Sequence, residues 1–207
     1  MLKSLVNTRQ APVLCAVVLG LASACIGDSV AAAEMKSVYQ DMPIKGCRDT
    51  NPTPEARRGD HETVGYDCGK VSGYGVFYTE LPNAKEFRID PPGGKSPGPQ
   101  LRFSSGLGAR IEWRGVASPK GFQPKAVIIR TGSTAHGPRP VSVLNILKVE
   151  PKQICLAAVL DVSANKDANA MARVAADGLD GFMCGTSGVM ILGVETATAR
   201  DARDQTY

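Results

Sequence analysis

Residues 11–26, APVLCAVVLGLASACI, form an apolar run that begins behind two positive charges and stops abruptly. Lys3 and Arg9 precede it without any acid, Asp28 and Ser29 break it, and Ala31-Ala32-Ala33 supplies small residues before Glu34. A positive n-region, a short apolar core and an A-x-A site form the pattern of a cleaved secretory leader, here residues 1–33. The run of about 16 apolar residues falls short of the ~20 that span a bilayer as a helix, which argues against an uncleaved anchor. Leu21-Ala22-Ser23-Ala24-Cys25 is a rival processing site that loosely resembles a lipobox, with lipidation at Cys25 as its consequence. The expected destination is the periplasm.

That destination constrains the rest of the fold through its cysteines. Beyond the leader the chain keeps four: Cys47, Cys68, Cys155 and Cys184. An even number in an exported chain reads as disulfides. Three pairings are possible, and closeness along the chain favours Cys47–Cys68 and Cys155–Cys184, each closure worth roughly 3–4 kcal/mol in the loop-entropy picture. A zinc site of Cys47, Cys68 and His61 is the competing reading, but it lacks C-x-x-C spacing and a second nearby histidine. No cofactor is expected.

The 174 residues that follow residue 33 are enough for one domain with a real core. The whole chain carries +4; Lys3, Arg9 and Asp28 give the leader one net positive charge, so +3 remains. Acids and bases are interspersed and base-stacking aromatics are sparse, so nucleic acid is not an expected partner. No second long apolar run occurs, so no transmembrane helix is expected after the leader.

Along the chain, residues 34–62 are polar and proline-broken and predict a loop-rich segment. A single domain is expected over 63–194, and 195–207 reads as a polar, flexible tail. Strand-like runs occur at Val76 to Leu81, Glu86 to Asp90, Ala109 to Val116, Lys125 to Thr131, Val141 to Glu150 and Ile154 to Val162. Ile111 and Trp113 alternate with Glu112 and Arg114, as in a half-buried strand. Pro151 separates the last two runs in the manner of a hairpin. Residues 91–99 and 132–140 are too rich in Pro and Gly for anything but loops. Asn165 starts the one convincing helix, about 165–183, with Asp167 near its positive end. Met171, Val174, Ala175, Gly178, Leu179 and Phe182 mark its expected apolar face. Val189 to Val194 reads as a short final strand. The expected fold is α+β: an antiparallel sheet of short strands with one C-terminal amphipathic helix packed on it.

Chemistry is harder to find. His61 and His136 both lie in loops. Gly94-Lys95-Ser96 has Ile89 where a P-loop needs glycine. Gly185-Thr186-Ser187-Gly188 has Val189 where the nucleophile elbow closes on glycine. Gly106-Leu107-Gly108 lacks its third glycine, at Ile111. Ser163-Ala164-Asn165-Lys166 with Arg130-Thr131-Gly132 mimics the acyl-enzyme motifs of penicillin-interacting enzymes in inverted order. Arg58-Gly59-Asp60 is an adhesion tripeptide in a loop. Trp113, Tyr74, Phe77 and Tyr78 could line a groove, although aromatics at alternate strand positions usually belong to the core.

Tyr66-Asp67-Cys68, Ala109 through Arg114, and the stretch from Cys155 to Cys184-Gly185 resemble a group of exported proteins of rhizobial-type alphaproteobacteria. In the last stretch the pattern includes Asp161, Asn165, Asp167-Ala168-Asn169, Ala172-Arg173 and Ala176-Asp177; Lys166 stands where relatives tend to have proline. The resemblance spans Tyr66 to about Gly185 and implies export and a Cys155–Cys184 bridge, with no activity established for the group. The sequence therefore predicts a non-enzymatic periplasmic domain that binds a protein or envelope partner. Asp161, Asn165, Asp167 and Asn169 are its expected polar surface site. A small hydrolase assembled from His136, Asp161 and Ser163 is the alternative, and an envelope protein of host interaction or stress is another.

Overall fold

The computed structural model describes residues 34–42, 44–50, 63–94, 96–137 and 139–206. Their order is β1 (Met35–Asp41), β2 (Arg48–Asp49), β3 (Val64–Val71), β4 (Tyr74–Glu80), β5 (Lys85–Asp90), β6 (Leu101–Phe103) and β7 (Ser105–Leu107). Then follow β8 (Arg110–Ser118), β9 (Gly121–Ser133), β10 (Val141–Glu150), β11 (Gln153–Asp161), helix α1 (Ala168–Asp177), β12 (Met190–Ile191) and helix α2 (Ala197–Asp204). The strands form two sheets where the sequence predicts one. The larger runs β1-β8-β9-β10-β11-β12, with β7 also on β9, and the smaller runs β2-β3-β4-β5-β6. All pairings are antiparallel except β11 with β12. The fold is α+β.

The large sheet is buried on both faces. Ile111, Trp113, Val127, Ile129, Val143 and Leu147 pack with Val76, Tyr78, Phe87, Ile89 and Phe103 of the small sheet. On the opposite face Ala126, Ile128, Leu144, Ile146 and Leu160 pack with α1. Two covered faces explain why β10 and β11 read as continuous apolar runs rather than alternating ones. Ala157 is skipped between the pairs Ile146↔Ala158 and Leu147↔Leu156, a bulge that keeps Leu156 toward the small sheet while Ala158 meets the helix.

Three expectations need correction. Helix α1 covers Ala168–Asp177, shorter than 165–183, and a single turn follows at Leu179–Gly181. Its buried residues are Ala168, Ala172 and Ala176, whereas Val174 is 74% exposed. The large apolar residues misplaced the stripe, because close approach to a sheet selects small side chains at i, i+4 and i+8. Ala172→Leu should therefore overpack this seam and cost about 1–3 kcal/mol. Val174→Ser should stay within roughly 0.5 kcal/mol; urea melts of the two variants measure the contrast.

Met35–Asp41 lies in the segment expected to be loop-rich, yet it pairs over its full length with β8. Its Ser37 and Tyr39 join the polar set under α1 described below, and Lys36 and Asp41 are exposed. The expected flexible tail contains α2, which Thr196 caps by accepting the Ala199 N–H at 3.1 Å and which buries Ala199 completely. Average polarity hid a helix that buries only small residues. Residues 51–62, with Arg58-Gly59-Asp60 and His61, lie outside the described residues, as do residues 1–33.

Candidate functional site

Asp161 closes β11 and is 2% exposed. Its Oδ1 accepts the Ser163 N–H at 2.8 Å and the Ser163 hydroxyl at 2.6 Å, and its Oδ2 accepts the Thr196 hydroxyl at 2.7 Å. Asn165 is buried beside it: its Nδ2 donates to the Asp161 carbonyl at 2.8 Å and its Oδ1 accepts the Val194 N–H at 3.0 Å. Gly193 makes this fit possible, since it has φ +68° and an added Cβ would lie 2.0 Å from the Asn165 Oδ1. Asp161 and Asn165 thus fasten the start of α2 to the end of the large sheet. Asn165 is not the helix cap; Asp167 holds that position without a side-chain bond. Asp167 and Asn169 are exposed, and Asn169 accepts from Arg130 Nη2 at 3.0 Å. The four expected site residues therefore divide into two buried ties and two surface groups.

Burial pushes the Asp161 carboxyl up, but hydrogen bonds from Ser163, Thr196 and Ala164 outweigh it and hold it below its ordinary value. Glu112 behaves alike, with bonds from Arg173 and Ser37 overcoming burial. Depressed carboxylates stabilise the fold above the unfolded value near 4, and that contribution is lost as pH falls through the folded values. Calorimetry should find a level Tm between about pH 7 and 5 and a fall below about pH 4. Asp161→Ala should flatten part of that fall and lower stability by about 1–3 kcal/mol, the cost of stranding buried donors.

A second polar set lies between β1, β8 and α1. Arg114 Nε and Nη2 reach the two oxygens of Asp177 at 2.8 and 2.5 Å. Arg173 grips Glu112 at 2.7 and 3.2 Å. The Ser37 hydroxyl joins the pairs, accepting from Arg114 at 2.7 Å and donating to Glu112 at 2.5 Å. Glu112 and Arg114 share one strand face, and Arg173 and Asp177 share one helix face at i, i+4. Every charge is answered inside the set, so it fixes α1 and β1 to β8 rather than facing a ligand.

An open cleft of about 360 Å³ lies where β6, the end of β9 and α2 meet. Phe103 and Val143 give it apolar walls, and Asn83, Arg102, Ser133, Asp201 and Gln205 give it polar ones. Among the described residues the side chains of Asn83, Arg102 and Gln205 make no hydrogen bond or ion pair. His136 Nε2 stands 2.6 Å from Asp201 Oδ2 and pins the 134–137 turn to α2. The Ser104 and Thr134 hydroxyls meet at 3.2 Å and anchor the same turn. His136 stands out in the sequence but this cleft does not, because its walls come from five separated segments.

The hydrolase trio is not assembled. His136 pairs with Asp201, and Ser163 spends its hydroxyl proton on Asp161, whose second oxygen is held by Thr196. Ser187 accepts the Met183 N–H at 3.0 Å. Trp113, Tyr74 and Tyr78 are buried core rather than a groove, with Trp113 and Tyr74 centroids 6.0 Å apart; Phe77 faces outward under the Arg88 guanidinium at 4.9 Å. Cys47 is bridged to Cys68 and Cys155 to Cys184, so the proposed zinc thiolates are disulfide sulfurs. These two bridges fit an exported protein, and no helix among the described residues is long and apolar enough to cross a membrane. No protein-family model, curated protein or solved structure matches the chain.

Proposed function

We propose that the chain is exported to the periplasm by a cleaved leader, residues 1–33, and there serves as a non-enzymatic binding domain. Its ligand is a small polar molecule, such as a monosaccharide, an amino acid or a short dicarboxylate from the envelope, held in the cleft beside α2. The observation that carries this reading is the set of Asn83, Arg102 and Gln205 side chains, unsatisfied by protein, around a floor of Phe103 and Val143. A few convergent polar groups over an apolar floor, in a hollow at the small end of ligand-site volumes, is the usual form of such sites. The rigid frame, two bridged sheets and two tied helices, suits a preformed site. A periplasmic ligand panel of these three classes, read by thermal shift, tests it. A ligand at 100 times its Kd adds about 2.7 kcal/mol to stability, and Ala202→Trp, which fills the cleft, should remove the shift. No stabilisation by any class would overturn the reading. Mass spectrometry of the exported protein should find Glu34 at the N-terminus and no free thiol; a lipidated Cys25 would refute release.

The His136–Asp201 pair at the rim favours one other reading, a hydrolase in which the carboxylate orients a general base. Turnover of ester or peptidoglycan fragments that disappears in His136→Ala would establish it over the binding module.

A further inference from the structure

We propose that the free edge of β11, Gln153–Leu156, takes up an extended acidic segment of a partner protein as an added strand. The edge exists because β12 is so short. It pairs only with Ala158 and Val159, and Leu192 adds one bond to the Val159 carbonyl. Gln153–Leu156 pair with β10 on one side, and among the described residues nothing hydrogen-bonds their other side. In an antiparallel strand every second residue turns its N–H and C=O outward, so these four leave two such residues unpaired. Exposed edges of this kind are templates for another strand.

This edge also has a groove beside it. Hollows of about 500 and 320 Å³ lie along it and share Pro97 and Ile154 in their walls. The far wall is held in place: Gly98 N–H donates to Asp90 Oδ1 at 3.0 Å, and an added Cβ at Gly98 would sit 1.8 Å from the Ile89 carbonyl oxygen. Pro97, Pro99 and Val189 offer apolar surface for alternate side chains of a guest. Lys152 lies in one hollow and Arg203 in the other, and among the described residues no carboxylate lines either. Asp204 sits 2.7 Å from Arg203 and tempers that end, so exposed Lys152 is the main anchor. Backbone pairing thus calls for an extended chain, and Lys152 calls for an acid on it. Sharing its row with β12, the guest has room for about four residues, roughly 13 Å.

The probe is a capped heptapeptide, Glu-Thr-Val-Thr-Val-Thr-Glu, titrated into isotope-labelled protein and followed by amide NMR. The expected result is saturable shifts at Gln153–Leu156 and Val189. Lys152→Glu should weaken binding roughly fivefold or more and make the Lys-ended version of the peptide the better ligand. The same peptide N-methylated at alternate amides should not bind, and Val174→Ser, an exposed change on α1, should leave binding unchanged. Equal binding of the N-methylated peptide, shifts confined to other surfaces, or a peptide-insensitive dimer pairing through this edge would each overturn the proposal. Thermal melts of Lys152→Glu, a surface change, confirm that the fold is intact.

Discussion

Asp177→Ala is expected to destabilise the protein by about 3 kcal/mol or more, an unusually large effect for a residue one-third exposed. Its partner explains the size. The Arg114 side chain is 10% exposed and spends its Nε and Nη2 on Asp177. Without the carboxylate, the guanidinium between sheet and helix keeps, among the described residues, only the Ser37 hydroxyl as a hydrogen-bond partner, with Glu112 a nearby opposite charge. The same Coulomb pair on the surface would be worth about 1 kcal/mol or less. Arg173→Ala is the parallel case, since it strands Glu112, 13% exposed, and should cost a comparable amount. Replacing both members, as in Arg114→Met with Asp177→Leu, should recover most of the loss, because the penalty comes from an uncompensated buried charge. Urea unfolding of the three variants with unchanged m-values tests the ordering. Costs of about 1 kcal/mol or less for both single variants, the size of a surface pair, would show that burial of the stranded partner does not decide. Ser37 also links the network to β1, so hydrogen exchange at Met35–Asp41 should quicken in Asp177→Ala before the centre of the sheet responds.

This network also shows where the sequence was readable. Ile111 and Trp113 alternating with Glu112 and Arg114 correctly implied a strand with one apolar face. The opposite face was expected to be wet, yet Arg114 is buried there. Nothing local distinguishes a solvated arginine from one whose carboxylate lies 63 residues later. The strand runs of β10 and β11 were legible because both faces are apolar, which makes the pattern dense. β1 and α2 are illegible for the converse reason: one turns Ser37 and Tyr39 into an ionic layer, and the other buries only alanine and threonine. At the site, Asp161 and Asn165 stand out in the sequence, but their task as buried ties is not legible there, since their partners Thr196 and Val194 are remote in sequence. The cleft was invisible because Asn83, Arg102, Ser133 and Gln205 share no motif, only a meeting place of two sheets and a helix.

Replacing Cys155 and Cys184 together by serine should cost about 3–4 kcal/mol, the closure entropy of a loop of their separation, 29 residues. On length alone the Cys47–Cys68 pair, separated by 21, should cost only a few tenths of a kcal/mol less, because the closure term grows with the logarithm of loop size. Position separates them further. Cys155 lies on β11 between the two cores, and Cys184 follows the turn that ends α1, so the bridge ties the sheet to the helix exit. Lys148 donates to the Phe182 carbonyl beside it, a contact the open loop would be free to lose. Loss of this bridge should therefore loosen 182–189 and with it the short parallel contact of β12, exposing more of the β11 edge. Cys47 and Cys68 instead flank the β2–β3 pairing at the margin of the small sheet, where two residues a side are matched. The ordering is measurable by denaturant melts of the two double-serine variants and by exchange at Ala158 and Val159. If the Cys47–Cys68 variant proved the less stable by more than about 1 kcal/mol, closure entropy with local packing would be the wrong account of these bridges. A total near 7 kcal/mol for both bridges rivals the whole stability of a typical domain. Such a chain is expected to stay unfolded when expressed in a reducing compartment, and that failure would reflect missing bridges rather than a missing core.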